Sequence, residues 1–152
     1  MIDFNIKSEI PVMEQFYTIQ GEGAHQGKAA YFIRLAGCDV GCVWCDVKES
    51  WEVDNSQIYK IDDVLKPLQT LPKGICVITG GEPAMYNLEP LTIAIHQLGW
   101  QTHIETSGAY PLSGELDWIC VSPKKFKAPL DSCLQQACLL YTSDAADEAK
   151  CV

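Results

Sequence analysis

Cys38, Cys42 and Cys45 stand in one short run, Gly-Cys-Asp-Val-Gly-Cys-Val-Trp-Cys. Three thiolates spaced C-x3-C-x2-C can hold three corners of a cubane [4Fe–4S] cluster and leave its fourth iron without a protein ligand. An iron with an open position can bind and reduce a small molecule, whereas a fully ligated cluster only relays electrons. Gly37 and Gly41 let the loop curl tightly enough to aim three sulfurs at one point. Trp44, set between the last two cysteines, offers a shield or a stacking face. Two other chemistries use the same thiols: a structural zinc site, and a redox pair made of Cys42 and Cys45. Zinc needs a fourth ligand. The candidates Cys76, Cys120 and His103 lie on separate β-like runs without knuckle spacing, so the cluster is the expectation.

A second constellation, Gly80-Gly81-Glu82-Pro83, follows a β-like run directly. Consecutive glycines are expected to leave backbone N–H and C=O groups open to a ligand at close range. Glu82 adds a carboxylate suited to an ammonium group. A Gly-Gly turn alone is often a plain strand-to-helix connection. Downstream of a cysteine triad it suits a bound amino acid whose amino and carboxyl groups chelate the open iron.

The elements that must position these residues are short and alternate. Ala30–Leu35, Ile75–Thr79, Thr102–Thr106 and Trp118–Val121 are rich in β-branched and aromatic residues, and the first two are almost continuously apolar, as in parallel strands covered on both faces. Ile61–Leu68 and Leu88–Leu98 carry apolar residues at helical spacing, the second closed by Gly99, and a third helix is expected after Pro129. Strands alternating with helices indicate an α/β fold with right-handed crossovers. Four β-like runs cannot close an eight-stranded barrel, so a partial parallel β/α barrel is expected, with the cysteines and Gly80-Gly81 at the C-terminal strand ends, where such folds bind ligands.

Composition narrows the class. The chain has 152 residues, 47% hydrophobic and 20% charged, as in one soluble globular domain. A net charge of −9 argues against a nucleic-acid surface, and Lys124, Lys125 and Lys127 are too few to reverse it. No apolar run reaches a membrane-spanning length, and the N-terminus lacks the basic start and apolar core of a signal peptide, so a cytoplasmic protein with no membrane partner is expected. The eight cysteines are not spread like a disulfide framework. Cys76, Cys120 and Cys133 are read as small buried hydrophobes, and His25 and His96 as surface or helix residues.

The triad and the Gly-Gly-Glu turn together resemble the radical S-adenosylmethionine superfamily. The likeness narrows with Phe16-Tyr17-Thr18-Ile19-Gln20-Gly21-Glu22-Gly23, Ala30–Cys38, Cys45-Asp46, Trp51, Ile78–Pro83, Ile104-Glu105-Thr106-Ser107-Gly108 and Val121-Ser122-Pro123-Lys124. In that order, over about residues 12 to 125, they resemble the 7-carboxy-7-deazaguanine synthases of queuosine-precursor synthesis. The resemblance implies a ring-contracting lyase acting on 6-carboxy-5,6,7,8-tetrahydropterin. An adenosyl radical takes the C6 hydrogen, ammonia is lost, and S-adenosylmethionine is regenerated. It implies Cys38, Cys42 and Cys45 as cluster ligands. Ile19, Gln20, Gly21, Arg34 and Thr79 would hold the substrate, with Arg34 a bidentate partner for a carboxylate. Trp44, Cys45, Asp46, Gly81, Glu82, Ser122, Pro123 and Lys124 would form the S-adenosylmethionine site. A homodimer and a reducing electron donor such as flavodoxin are implied as well. Arg34 could instead pair structurally with Glu22 or Glu105.

Two departures stand out. The family pattern after Cys-Asp is Thr or Ser, whose hydroxyl binds Mg²⁺; here the position is Val47, which offers no side-chain oxygen. From Cys138 the chain reads Cys-Leu-Leu-Tyr-Thr-Ser-Asp-Ala-Ala-Asp-Glu, which resembles one frame of a transposon-end sequencing adapter. Residues 1–137 are therefore read as the partial-barrel domain and 138–152 as a non-native tail. The last strands are expected to be missing, with an open parallel edge and a chain that is unstable or inactive. The rival functions are an activating enzyme for a glycyl-radical protein and a non-catalytic zinc module.

Overall fold

The computed structural model describes residues 9–125 and 127–140. Among them, seven strands form one sheet in the order β3-β1-β2-β4-β5-β6-β7. The strands are β1 (Glu9–Ile19), β2 (Ala29–Leu35), β3 (Ile58–Lys60), β4 (Ile75–Gly80), β5 (Gln101–Thr106), β6 (Trp118–Val121) and β7 (Leu139–Leu140). From β2 to β7 neighbouring strands pair in parallel, while β1 lies antiparallel to both β2 and β3. The four anticipated runs are all strands within a residue or two. β1 went unread because Pro11 and the polar residues of Glu9–Ile19 mask its alternation; Pro11 sits near the sheet edge, opposite Ile58.

The helices are α1 (Ile61–Val64), α2 (Glu89–Gln97) and α3 (Asp131–Gln136). The helix expected over Ile61–Leu68 breaks after one turn and resumes as a 3₁₀ segment, Lys66–Gln69. Pro67 has no N–H for the Asp63 carbonyl, and its ring would crowd that oxygen. Cys120 and Val121 of β6 pair in parallel with Leu139 and Leu140 of β7, the last strand among the described residues.

Alternation along the parallel strands sorts side chains onto two faces. One face buries Ile33, Leu35, Ile78, Ile104 and Val121 against Val64, Leu68, Leu91 and Ile95 of the helical layer. Each such side chain contributes roughly 1.5–3 kcal/mol relative to exposure. The opposite, inner face is layered. Ala30 and Ile75 lie lowest, then Phe32 and Val77 with Phe16 stacked on Phe32 at 5.2 Å. Residues of the same parity at the C-terminal ends are Arg34, paired in register with Thr79, and Glu105, paired with Cys120. Arg34, Thr79 and Glu105 thus occupy the top layer of the inner face, at the C-terminal strand ends.

Candidate active site at the C-terminal strand ends

A cavity of about 300 Å³ opens where β4, β5 and β6 end and the cysteine loop crosses them. Cys38, Cys42, Cys45, Trp44 and Asp46 form one wall; Thr79, Gly81, Glu82, Glu105, Ser122 and Lys124 line the rest. Most of the residues expected at the site therefore meet in one place. Ile19, Gln20, Gly21, Arg34 and Pro123 do not line this cavity. Ile19 is 63% exposed.

The glycines act differently from expectation. Gly81 N–H donates to the Leu35 carbonyl at 3.0 Å and Glu82 N–H to the Gly37 carbonyl at 2.9 Å. Those groups brace the cysteine loop instead of standing open to a ligand. A Cβ on Gly81 would lie 2.2 Å from the Gly37 oxygen and 3.0 Å from Cys38 Cβ, so this contact exists only without a side chain. Gly37, at φ +98°, likewise lies against the Tyr86 hydroxyl, which donates to the Ala36 carbonyl at 2.7 Å.

Glu82 is 1% exposed. Its Oε1 accepts from Ala84 N at 3.0 Å and from Thr106 Oγ1 at 2.5 Å. Its Oε2 accepts from Ser107 N at 2.9 Å and from Ser107 Oγ. A carboxylate has about four lone-pair positions; donors from the β5 end and from the turn after β4 occupy them, so Glu82 braces the floor of the cavity that it also lines.

Glu105 takes the position facing the cavity. Its carboxylate accepts from Gln20 Nε2 and Thr79 Oγ1, each at 3.1 Å. Burial pushes its pKa up, opposed by the Gln20 hydrogen bond. Gln20 and Thr79 thus act through Glu105, a residue the sequence offered only inside a motif. Arg34 pairs with Glu14 at 2.7 Å, not with Glu22 or Glu105. This uses its Nε–H, one of five guanidinium N–H donors. Lys124 Nζ donates to Ser122 Oγ at 2.8 Å. The loop is also held from outside: Asp39 accepts from Lys127 Nζ at 2.7 Å and from Tyr110, whose hydroxyl accepts from Lys127 at 2.6 Å. This Asp39–Tyr110–Lys127 clamp carried no sequence signal, because its members are 17 to 88 residues apart.

The donor set fits an iron–sulfur cluster in kind: three thiols on one wall, beside a cavity with room for a second ligand. Desolvation raises the pKa of Cys38 and Cys42. Among the described residues, no three His, Cys, Asp or Glu side chains stand at metal-ligating geometry, so the sulfurs must draw together when iron binds. Of the three candidate fourth ligands for zinc, Cys76 is buried in the helix-side core and His103 lines the small neighbouring cavity, while Cys120 lines the same cavity as the thiols. A protein-bound Mg²⁺ does not fit Val47. Its side chain lines the cavity without an oxygen, and its carbonyl already accepts from Ser50 N at 3.0 Å and Ser50 Oγ at 2.6 Å.

Fold and site together define an incomplete parallel barrel whose cavity carries a three-thiol loop of the kind that suits an iron–sulfur cluster. The Radical SAM superfamily matches residues 32–121. The 7-carboxy-7-deazaguanine synthase of Flavobacterium psychrophilum is 54% identical over 121 residues, covering 80% of this chain and 57% of that protein. The synthase of Synechocystis sp. is 47% identical over 119 residues, covering 78% and 57%. The crystal structure of QueE from Escherichia coli superposes with a TM-score of 0.81 at 32% identity, covering 93% of this chain and 75% of that one. The chain belongs to the radical SAM superfamily and, within it, to the 7-carboxy-7-deazaguanine synthase family. It spans less than two thirds of the length of these two curated synthases.

Proposed function

We propose that the protein to which this chain belongs converts 6-carboxy-5,6,7,8-tetrahydropterin to 7-carboxy-7-deazaguanine and ammonia, as a radical SAM lyase of queuosine-precursor synthesis. The observation that carries this reading is a single cavity joining the three cysteines to Thr79, Glu105, Ser122 and Lys124. When bound, the [4Fe–4S] cluster and S-adenosylmethionine would supply an adenosyl radical held away from water.

This chain's residues supply positioning. Glu105, oriented by Gln20 and Thr79, accepts from the paired N–H groups of an aminopyrimidine ring. Arg34 keeps the rest of its guanidinium for a carboxylate. Lys124, steadied by Ser122, faces the carboxylate of an amino-acid moiety. Val40, Trp44 and Trp51 in the lining keep the radical from solvent. Ile19, Gly21 and Pro123 act at the margin, as neighbours of the residues that touch ligand.

The same reading holds the protein to be a cytoplasmic homodimer reduced by a donor such as flavodoxin. Among the described residues no helix is long and apolar enough to cross a membrane. Residues 138–152 stand as a non-native tail, which an uninterrupted genomic read across Ala137 tests. The functional test is anaerobic reconstitution with iron and sulfide, then incubation with the pterin, S-adenosylmethionine and dithionite. A brown protein that forms the deazaguanine supports the proposal. A colourless protein holding one tight zinc ion overturns it.

A further inference from the structure

Asp39 lies inside the cysteine loop, directly after Cys38. Its Oδ2 accepts from Lys127 Nζ at 2.7 Å and from the Tyr110 hydroxyl. Lys127 Nζ also donates to that hydroxyl oxygen at 2.6 Å and sits 4.2 Å from the centroid of the Tyr110 ring, within cation–π range. The three groups close a triangle. An isolated surface ion pair contributes little, because two long side chains must be ordered to make it. Here one corner is already fixed: the Tyr110 ring packs on the hydrophobic core, and its carbonyl accepts from Cys133 Sγ at 3.1 Å.

The triangle joins two parts of the site that are far apart in sequence. At the start of the cysteine loop, Gly37 N–H donates to the Ser50 carbonyl at 2.6 Å and Cys38 N–H to the Trp51 carbonyl at 3.2 Å. Asp39 adds a side-chain tether to different elements, the segment after β5 and the segment after β6. In the latter, Lys127 pairs with Lys124 across an isolated antiparallel bridge. Lys124 lines the main cavity, where its Nζ donates to Ser122 Oγ at 2.8 Å. One backbone bridge thus carries a lysine for the cavity and a lysine for the cysteine loop.

We propose that Tyr110 and Lys127 are positioning residues for the reaction: through Asp39 they set the three thiols against the wall made by Ser122 and Lys124, so that the cluster site and the S-adenosylmethionine site keep a fixed separation. Neither residue lines the cavity. They act by fixing where the loop lies and not by touching a ligand. The inference rests on the radical SAM reading of the site.

The test compares the full chain with Lys127→Met, Lys127→Arg and Tyr110→Phe by two readouts. In the iron-free protein, alkylation of each cysteine is timed by mass spectrometry, with Cys76, buried in the core, as the internal reference. Lys127→Met is expected to speed modification of Cys38, Cys42 and Cys45 about fivefold, the equivalent of one partly exposed charge-assisted contact, and to leave Cys76 unchanged. In the reconstituted protein the same variant should weaken S-adenosylmethionine binding by a similar factor in equilibrium dialysis, at unaltered iron content. Tyr110→Phe should change both readouts less and in the same direction, and Lys127→Arg should restore most of each. Unchanged alkylation of the loop cysteines, or equal acceleration at Cys76, would overturn the proposal; the second outcome reports a general loosening of the fold. Should Lys127→Met fail to fold, Tyr110→Phe, which removes one hydroxyl, carries the same comparison. An unaltered reconstituted chain that binds no S-adenosylmethionine would overturn the radical SAM reading and this inference with it. A Lys127→Met chain that binds it as tightly as the unaltered one overturns this inference alone.

Discussion

Glu82 and Val47 show how far a single residue's chemistry depends on what it meets. With four donors filling its two oxygens, Glu82 holds the Thr106–Ser107 corner against the turn after β4. Glu82→Gln keeps the shape but turns an NH₂ group toward bound donors. A loss of about 1–3 kcal/mol is expected, read as a lower midpoint in urea denaturation; an unchanged midpoint would contradict this account. Val47 is the opposite case, a side chain in the cavity lining with no donor or acceptor. Val47→Thr places a hydroxyl there, and Mg²⁺ is then expected to stimulate turnover more strongly. An identical metal titration in both proteins would refute it.

At the scale of elements, the cysteine loop is held by close contact with the β4 turn, and that contact has no space for a methyl group. Gly81→Ala brings a Cβ to 2.2 Å from the Gly37 carbonyl oxygen. The loop must then move, since the neighbour is backbone and cannot rotate away. Reconstituted Gly81→Ala is expected to bind less iron per chain while its far-ultraviolet circular dichroism stays native. Full iron content would show that the contact is dispensable. The α2 helix is tied to the segment before β6 by His96, which bridges Glu115 at 2.8 Å and Asp117 at 2.7 Å. The Glu115 hydrogen bond, followed by Asp117 against some desolvation, raises the His96 pKa. A raised folded value means this bridge stabilises fully below the unfolded pKa of about 6.5 and fades as pH rises through the higher folded value.

Across the whole molecule, His103 has the opposite pH dependence. Desolvation, with the nearby His25, pushes its pKa down to about 4. Its contribution is present above pH 6.5 or so and is lost as pH falls toward that lower value. The unaltered chain should therefore lose stability on both sides of about pH 6.5. His96→Gln should flatten the alkaline limb only, and His103→Phe the acid limb only, in urea denaturation series across pH. Equal effects of both variants on both limbs would refute the assignment.

The sequence alone determined the class. Three cysteines, a Gly-Gly-Glu turn and four apolar runs are local patterns, each within a few consecutive residues, and their order along the chain was enough to name the fold and the family. Tertiary structure decided what each residue does there. Glu82 became a brace and Glu105 the cavity-facing acid; Arg34 found Glu14, and His25 found His103 and Trp118. Gln20 and Glu105 are 85 residues apart, and Asp39 and Lys127 are 88 apart. Such pairs leave no periodicity or spacing to read. They arise because the sheet lays distant strands side by side, so that the strand ends and the loops leaving them meet at one edge.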